Sequence, residues 1–434
     1  AGCYTDDIEL PGMVHAAIVR SPVASAVVHG VDTTSVTTPV EFVLTPDRIA
    51  ELTDPYRVLW IMPNQWQTER PLWDGRVRFV GDPIGVVVAA DRALAEDAVD
   101  ELRLDLEVLD PVVGHDAALA DERLVYPDRG TNLMAQWTAG DPDDHTDAVF
   151  AAADRTLSIP LAIGRVAGVP MEPRGIVVDP GRPGFDGRPD KVTIWTSTQA
   201  PHAVRDAVAE VCRLPQHRIR VIGPDVGGGF GLKDHIYEDE LMVVLAAIEL
   251  GRPVKWIEDR RESLTTTTQA RDERYVAEVA YDLDGTLRGL RVDAVRDVGA
   301  YFSIFGAGPL FAMTGTLGGP YTWEAVTAHA RAVTTNTCPT HSYRGFGQTQ
   351  ATFVRELLVD AVAADLGLDP VELRLRNAMH TGDRLITGQV VESVAPVERC
   401  IRETAALPMP TEPIGGIDGD PLPRARATEV SRIH

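Results

Sequence analysis

Val226-Gly227-Gly228-Gly229-Phe230-Gly231-Leu232-Lys233-Asp234 sets four glycines and one aromatic residue side by side. An apolar run, Ile219–Ile222, precedes this stretch, and a helical pattern opens just after it. Glycine serves where the backbone must take positive φ or lie directly against a ligand. The stretch therefore predicts a strand-to-helix junction whose backbone N–H groups cradle an electron-rich group. An ordinary tight turn is the other reading of the same residues. Two familiar phosphate loops fail on spacing. A P-loop needs Gly-Lys followed by Ser or Thr, whereas Lys233 sits between Leu232 and Asp234. A dinucleotide fingerprint needs Gly-x-Gly-x-x-Gly, whose last position falls on Leu232 or Asp234 here.

A chain of 434 residues predicts two or three domains, and 44% apolar content supports large cores. The net charge of −23 argues against a nucleic-acid groove. Lys191, Lys233 and Lys255 are the only lysines, so arginine carries nearly all the positive charge. Cys3, Cys212, Cys338 and Cys400 are far apart and form no iron–sulfur or zinc pattern. They read as free buried thiols in a reducing, cytoplasmic setting. No apolar run is long enough to span a membrane. The chain opens Ala-Gly-Cys-Tyr, without an initiator Met or a basic-then-apolar leader, which leaves room for an upstream segment.

The pattern predicts an α+β chain. Residues 1–115 alternate short strands with turns. Val14–Val19, Ala26–Val31, Val40–Leu44, Val77–Val80, Ile84–Ala89 and Leu104–Leu109 are β-like, and Arg92–Leu102 is helical with Asp91 as N-cap. Residues 116–143 read as a polar connector. Residues 144–406 alternate helices with strands and contain a hairpin about Asp284-Gly285 and a long helix over Gln348–Leu366. Residues 407–434 are rich in Pro and Gly and read as a tail.

Three segments share one plan, in which a strand ends and a loop of glycines or hydrogen-bonding side chains opens a helix: residues 195–201, residues 227–231, and residues 343–348. N–H groups and helix dipoles point the same way at such junctions. Gln199 offers an amide donor, Arg344 a permanent cation, Phe346 a ring for a flat substrate, and Asp234 a group to orient a polar one. Each also has a structural reading: Gln199 and Asp234 as helix caps, Phe230 and Phe346 as core aromatics, Arg344 in an ion pair.

These segments, in this order, resemble the molybdenum-binding large subunit of the xanthine dehydrogenase / aldehyde oxidase family, the molybdenum hydroxylases. Tyr4-Thr5-Asp6-Asp7-Ile8 to Met13, Val19-Arg20-Ser21-Pro22 and Val77 to Pro83 are similar to that family's N-terminal α/β hammerhead domain. Met171-Glu172-Pro173-Arg174-Gly175, Ser197-Thr198-Gln199, Gly227–Gly231 and Arg344-Gly345-Phe346-Gly347 resemble the first half of its molybdopterin-binding α+β region. The resemblance implies a molybdopterin cofactor, in its plain or cytosine dinucleotide form, with the metal held through the pterin and no direct protein ligand. It implies that Gln199, Gly228, Gly229, Phe230, Gly231 and Arg344 line the cofactor. Asp234 and Phe346 would then meet a small-molecule substrate, with Gln199 and Asp234 in catalytic roles. The implied reaction is hydroxylation of an aldehyde or aromatic N-heterocycle with water as oxygen donor. Electrons would leave through 2Fe-2S and FAD on partner subunits, since this chain has no cysteine pattern for a cluster.

The sequence also departs from the family. A second half with a Gly-x-Gly-Glu motif normally follows, and no such motif occurs here. A second chain completing the site is expected, or else the chain is a fragment. Position 234 is Asp where purine-oxidising members have Glu, and the region 306–309 lacks their arginine, so xanthine is a poor candidate substrate. Gly345 stands where the carbon monoxide dehydrogenase branch has cysteine, which argues against a copper–molybdenum site. The competing reading is a non-catalytic homologue that only scaffolds partners.

Overall fold

Pro83–Ala89 is apolar on both faces and buried along its whole length, as an interior strand must be. It lies near one end of a seven-stranded sheet whose spatial order is Ile219–Ile222, Val192–Thr196, Gly175–Asp179, Val254–Ile257, Val14–Arg20, Pro83–Ala89 and Phe42–Leu44. The computed structural model describes residues 2–392 and 397–407, so the tail expected at 407–434 lies outside the described residues save for Leu407. The buried helix Glu238–Leu250 packs against this sheet.

The sheet joins the two portions that the sequence separates. Val14–Arg20 pairs antiparallel with Pro83–Ala89 on one side and parallel with Val254–Ile257 on the other, with Val14 opposite Val254 and His15 opposite Lys255. A second, five-stranded sheet runs Arg155–Val166, Ala270–Tyr281, Leu287–Gly299, Ala325–Thr334 and Leu133–Gly140. Its hairpin turns at Asp284-Gly285, with Gly285 at φ +89°. Gln348–Leu366 forms a helix over that span and buries Ala351, Val354, Leu358, Val359 and Val362 in the core of this sheet. A three-stranded sheet of Arg76–Val77, Ala26–Asp32 and Arg103–Val108 completes the N-terminal portion. Arg92–Glu101 is helical, and the Asp91 carboxylate accepts the Leu94 N–H at 2.9 Å as its cap.

Four expectations need correction. Residues 116–143 are more than a connector, because Leu133–Gly140 pairs with Ala325–Thr334 as an edge strand. The strand expected over Val77–Val80 stops at Val77, because the Arg78 N–H is taken by the Asp82 carboxylate at 2.8 Å and the chain turns. No α-helix opens directly after the glycine-rich stretch. Leu232–Asp234 makes a single 3-10 turn and the α-helix begins only at Glu238. The Lys233 carbonyl accepts the Gln199 N–H at 2.7 Å and the Thr198 hydroxyl at 3.1 Å instead of continuing a helix. The thiols are free, but only Cys338 is buried; Cys3 is exposed and Cys212 and Cys400 are half-buried.

Candidate functional site

The three segments meet, although the third follows no strand directly, since Ala325–Thr334 ends well before Tyr343. Gln199 follows the strand Val192–Thr196 and precedes the helix Pro201–Val211, and its side-chain carbonyl accepts the Gly231 N–H at 2.9 Å. The Arg344 N–H donates to the Phe230 carbonyl at 2.9 Å. A Cβ at Gly231 would lie 2.9 Å from Ser342, both at its side chain and at its backbone. One continuous wall results, and no side chain fits between its layers.

Glu172 fastens the wall from below. Its Oε2 accepts the Ser197 hydroxyl at 2.6 Å, the Gly227 N–H at 2.7 Å and the Lys233 ammonium at 2.9 Å. Burial works against its ionisation, but these three donors outweigh it and hold the carboxyl below its ordinary value. Burial pulls the Lys233 ammonium below its ordinary value, and Glu172 opposes that pull. Deeper still, Arg174 is 1% exposed and bonds Asp239 and Glu258 while its guanidinium lies 3.7 Å from the centre of the Tyr237 ring. Burial opposes the charge on Asp239, yet Arg174 and Arg20 hold it well below the carboxylate range. Its neighbour Glu240 receives 3.3 Å contacts from Arg174 and from the Thr196 hydroxyl, and burial pushes it up to about 8.

Above this base the wall presents donors. Gly228 and Gly231 both sit at φ +97°, and Phe230 at φ +56°. This alternation turns consecutive N–H groups toward one side. Among the described residues, the N–H groups of Gly228, Gly229, Phe230, Gly345 and Gly347 meet no acceptor. The Gln199 Nε2 and the exposed Arg344 guanidinium likewise have no partner among the described residues. The Ser342 hydroxyl beside Gly231 is buried and has no hydrogen-bond partner among the described residues. Such a surface, rich in unmet N–H donors and tight backbone, suits a ligand carrying many acceptor atoms and negative charge. The segments around Gln199 and Gly347 open onto the helices Pro201–Val211 and Gln348–Leu366; the 227–231 segment lacks the helix dipole expected for it.

An aromatic wall adjoins the cradle. The Phe346 ring, at φ +40°, meets Trp60 and Phe305 edge-on with centroids 5.7 Å and 6.0 Å away. Phe305 stacks on His341 at 5.4 Å and 7°. The His341 Nε2 contacts the Asp234 carboxylate, and its Nδ1 contacts the Ser303 hydroxyl. Burial holds the neighbouring His235 well below its ordinary value, so that ring is neutral.

The cap readings of Gln199 and Asp234 do not hold, whereas Phe346 is half-buried against Trp60 and Phe305. The cap position of the helix Pro201–Val211 is Ala200, and that of Glu238–Leu250 is Tyr237, so neither Gln199 nor Asp234 caps a helix. Phe230 is 42% exposed and is not a core residue. Sequence reasoning missed Lys233, Trp60, Phe305 and His341, and it gave Glu172 no role. Glu172 and Lys233 lie within motifs already singled out, whereas Trp60, Phe305 and His341 are brought in by tertiary contacts.

Residues 125–378 match the pattern of the molybdopterin cofactor-binding domain. The chain belongs to this family. Residues 1–110 match the a/b hammerhead domain of aldehyde oxidase and xanthine dehydrogenase, so this molybdopterin cofactor-binding chain has the N-terminal and central fold of that group. It is 33% identical over 386 residues to the nicotine 6-hydroxylase large subunit of Paenarthrobacter nicotinovorans, covering 87% of this chain and 46% of that protein. It is 29% identical to the nicotinate dehydrogenase large molybdopterin subunit of Eubacterium barkeri, covering 90% of this chain and 88% of that one. The quinoline 2-oxidoreductase of Pseudomonas putida 86 superposes with a TM-score of 0.86 at 35% identity, over 93% of this chain and 51% of that one. The chain spans about half the length of several curated relatives it matches. Among the described residues no helix is long and apolar enough to cross a membrane.

Proposed function

We propose that this chain is the cofactor-binding part of a cytoplasmic molybdenum hydroxylase that oxidises an aromatic N-heterocycle or an aldehyde. What supports this reading is the cradle itself: three loops carrying unmet N–H donors are tied to one another, and glycine is required where they touch. When bound, the molybdopterin supplies the redox chemistry, with water as oxygen source and 2Fe-2S and FAD on partner subunits as the electron exit.

The chain's own residues bind and orient. The backbone of Gly228–Gly231 and the Arg344 guanidinium would hold the acceptor-rich cofactor. The Gln199 carbonyl is already used on Gly231, so its Nε2–H₂ is the end left to donate to an oxygen or sulfur at the metal. Phe346, braced by Trp60 and Phe305, would offer a ring to a flat substrate, and Asp234 would orient its polar edge. The aromatic wall and the names of the nicotine, nicotinate and quinoline relatives favour the heterocycle over the aldehyde.

A second chain would cover the cradle. Trp60, Ile61, Val169, Met171 and Phe230, on the segments around it, are large, apolar and exposed, Met171 by 89%. Such a patch suits a protein partner. The test is co-expression with a chain carrying a Gly-x-Gly-Glu motif, followed by metal analysis of the purified complex. About one molybdenum per complex is expected; a folded complex without molybdenum would leave the scaffold reading standing.

A further inference from the structure

Asp234 adjoins the aromatic wall through His341, and among the described residues only one of its two oxygens is bonded. Its Oδ1 is bonded to His341, while among the described residues nothing bonds Oδ2. The side chain is partly exposed, whereas that of His341 is 0% exposed. A carboxylate only accepts, so Nε2 of His341 must be the donor. At the far side of the ring, Nδ1 meets the buried Ser303 hydroxyl. The Phe305 ring lies flat on one face of His341, and His235 packs against it with centroids 5.0 Å apart. The ring can neither rotate nor retreat from Asp234.

We propose that His341 is a positioning residue, which with Ser303 holds Asp234 so that its free Oδ2 selects flat heteroaromatic substrates carrying a proton on the ring nitrogen. This rests on the reading above that the Phe346 side of the cradle receives substrate. The imidazole is neutral, with its proton on Nε2 and the Ser303 hydroxyl donating to Nδ1. Every ring nitrogen is then satisfied, and Oδ2 of Asp234 is left as an acceptor. A substrate N–H⁺ bonded to Oδ2 makes a charge-assisted hydrogen bond that a shape-matched hydrocarbon cannot make. Desolvated beside Phe305 and Phe346, that difference is worth about tenfold or more in affinity.

Two measurements test this on the full chain. Nitrogen NMR of histidine-labelled protein reads the tautomer directly, with His341→Gln used to assign the signal. A neutral ring protonated on Nε2 is expected, and Ser303→Ala should shift its Nδ1 resonance. A ring protonated on Nδ1 alone, or on both nitrogens, would overturn the proposal. Calorimetry then compares 4-aminoquinoline, protonated on its ring nitrogen at neutral pH, with 1-aminonaphthalene. The first should bind about tenfold tighter to the wild type. That ratio should collapse toward one in Asp234→Asn, and shrink in His341→Phe and in Ser303→Ala, each confirmed folded by circular dichroism. Ser303→Ala never touches Asp234, so it remains informative if His341→Phe fails to fold. A ratio near one in the wild type, or an unchanged ratio in Ser303→Ala, sinks the inference. Absence of molybdenum from the complex would be a failure of the parent reading, and the binding ratio of the cofactor-free chain is read independently of it.

Discussion

The Gln199 side-chain carbonyl accepts the Gly231 N–H at 2.9 Å, and that one bond decides which end of the amide faces outward. With the oxygen committed, Nε2 projects from the wall as a donor. A Gln199→Ala variant therefore loses both a tie between two loops and the outward donor. The tie is a single, solvent-accessible bond worth about 1 kcal/mol. Melting temperature should fall little, while turnover of the loaded complex should fall about a hundredfold, the scale on which a single aimed donor acts. A large drop in melting temperature with unchanged activity per folded molecule would contradict this assignment.

Gly229 and Gly231 should respond differently to an added side chain. A Cβ at Gly229 would come within 2.3 Å of Gln199 Oε1, which is the movable end of a side chain. Gly229→Val should push that amide aside and block cofactor insertion, read as lost molybdenum in a chain that still folds. A Cβ at Gly231 would meet the Ser342 backbone at 2.9 Å, at φ +97°. Gly231→Ala should cost about 1–3 kcal/mol of stability as well, measured by denaturant unfolding.

Arg344 has no carboxylate partner among the described residues, so it contributes little to folding. Arg344→Met should leave the unfolding midpoint within about 0.5 kcal/mol of the wild type while weakening retention of the cofactor. Pterin fluorescence after gel filtration measures the second effect. Destabilisation without pterin loss would place the guanidinium in the fold and not at the ligand.

The Glu172 clamp predicts a pH window. Its carboxyl sits below its ordinary value of 4.5 in the folded chain, so the unfolded chain binds the proton first as pH falls. The stability it contributes is present above about pH 4.5 and is lost on acidification through and below that value. Glu172→Gln should flatten that part of the stability profile, measured by urea unfolding between pH 6 and pH 3. An unaltered slope would remove Glu172 from the clamp.

Glu240 behaves in the opposite sense. Burial raises it to about 8, so between its ordinary 4.5 and about 8 the native chain keeps a proton that the unfolded chain releases. Stability from this group is full below pH 4.5 and declines as pH rises toward about 8. Glu240→Gln carries the neutral form permanently. It should match the wild type in acid and exceed it at and above pH 8, by thermal unfolding across that range.

Local patterns carried much of the architecture. The continuous apolar run at Ile84–Ala89, the Asp-Gly hairpin and the long amphipathic span from Gln348 each specify an element through nearest neighbours, and each is found where the pattern puts it. The cradle was legible as glycine chemistry, and its assembly from three distant segments followed from family resemblance. Leu133–Gly140 was lost because an edge strand with polar alternate positions looks like a loop until its neighbour is known. The link from Asp234 to His341 had no signal either, because 107 residues separate the partners and only the tertiary fold brings them together. The missing helix dipole after Gly231 has a similar origin, since a distant Gln199 N–H captures the Lys233 carbonyl.

The strand Val14–Arg20 is flanked by Pro83–Ala89 and by Val254–Ile257. Cutting the gene after residue 115 would thus not liberate two independent bodies. Each fragment would carry a raw, hydrogen-bond-hungry β edge and a stripped apolar face, and would aggregate if made alone. Produced together, the same fragments should reassociate through that seam, which makes this protein a natural candidate for fragment complementation.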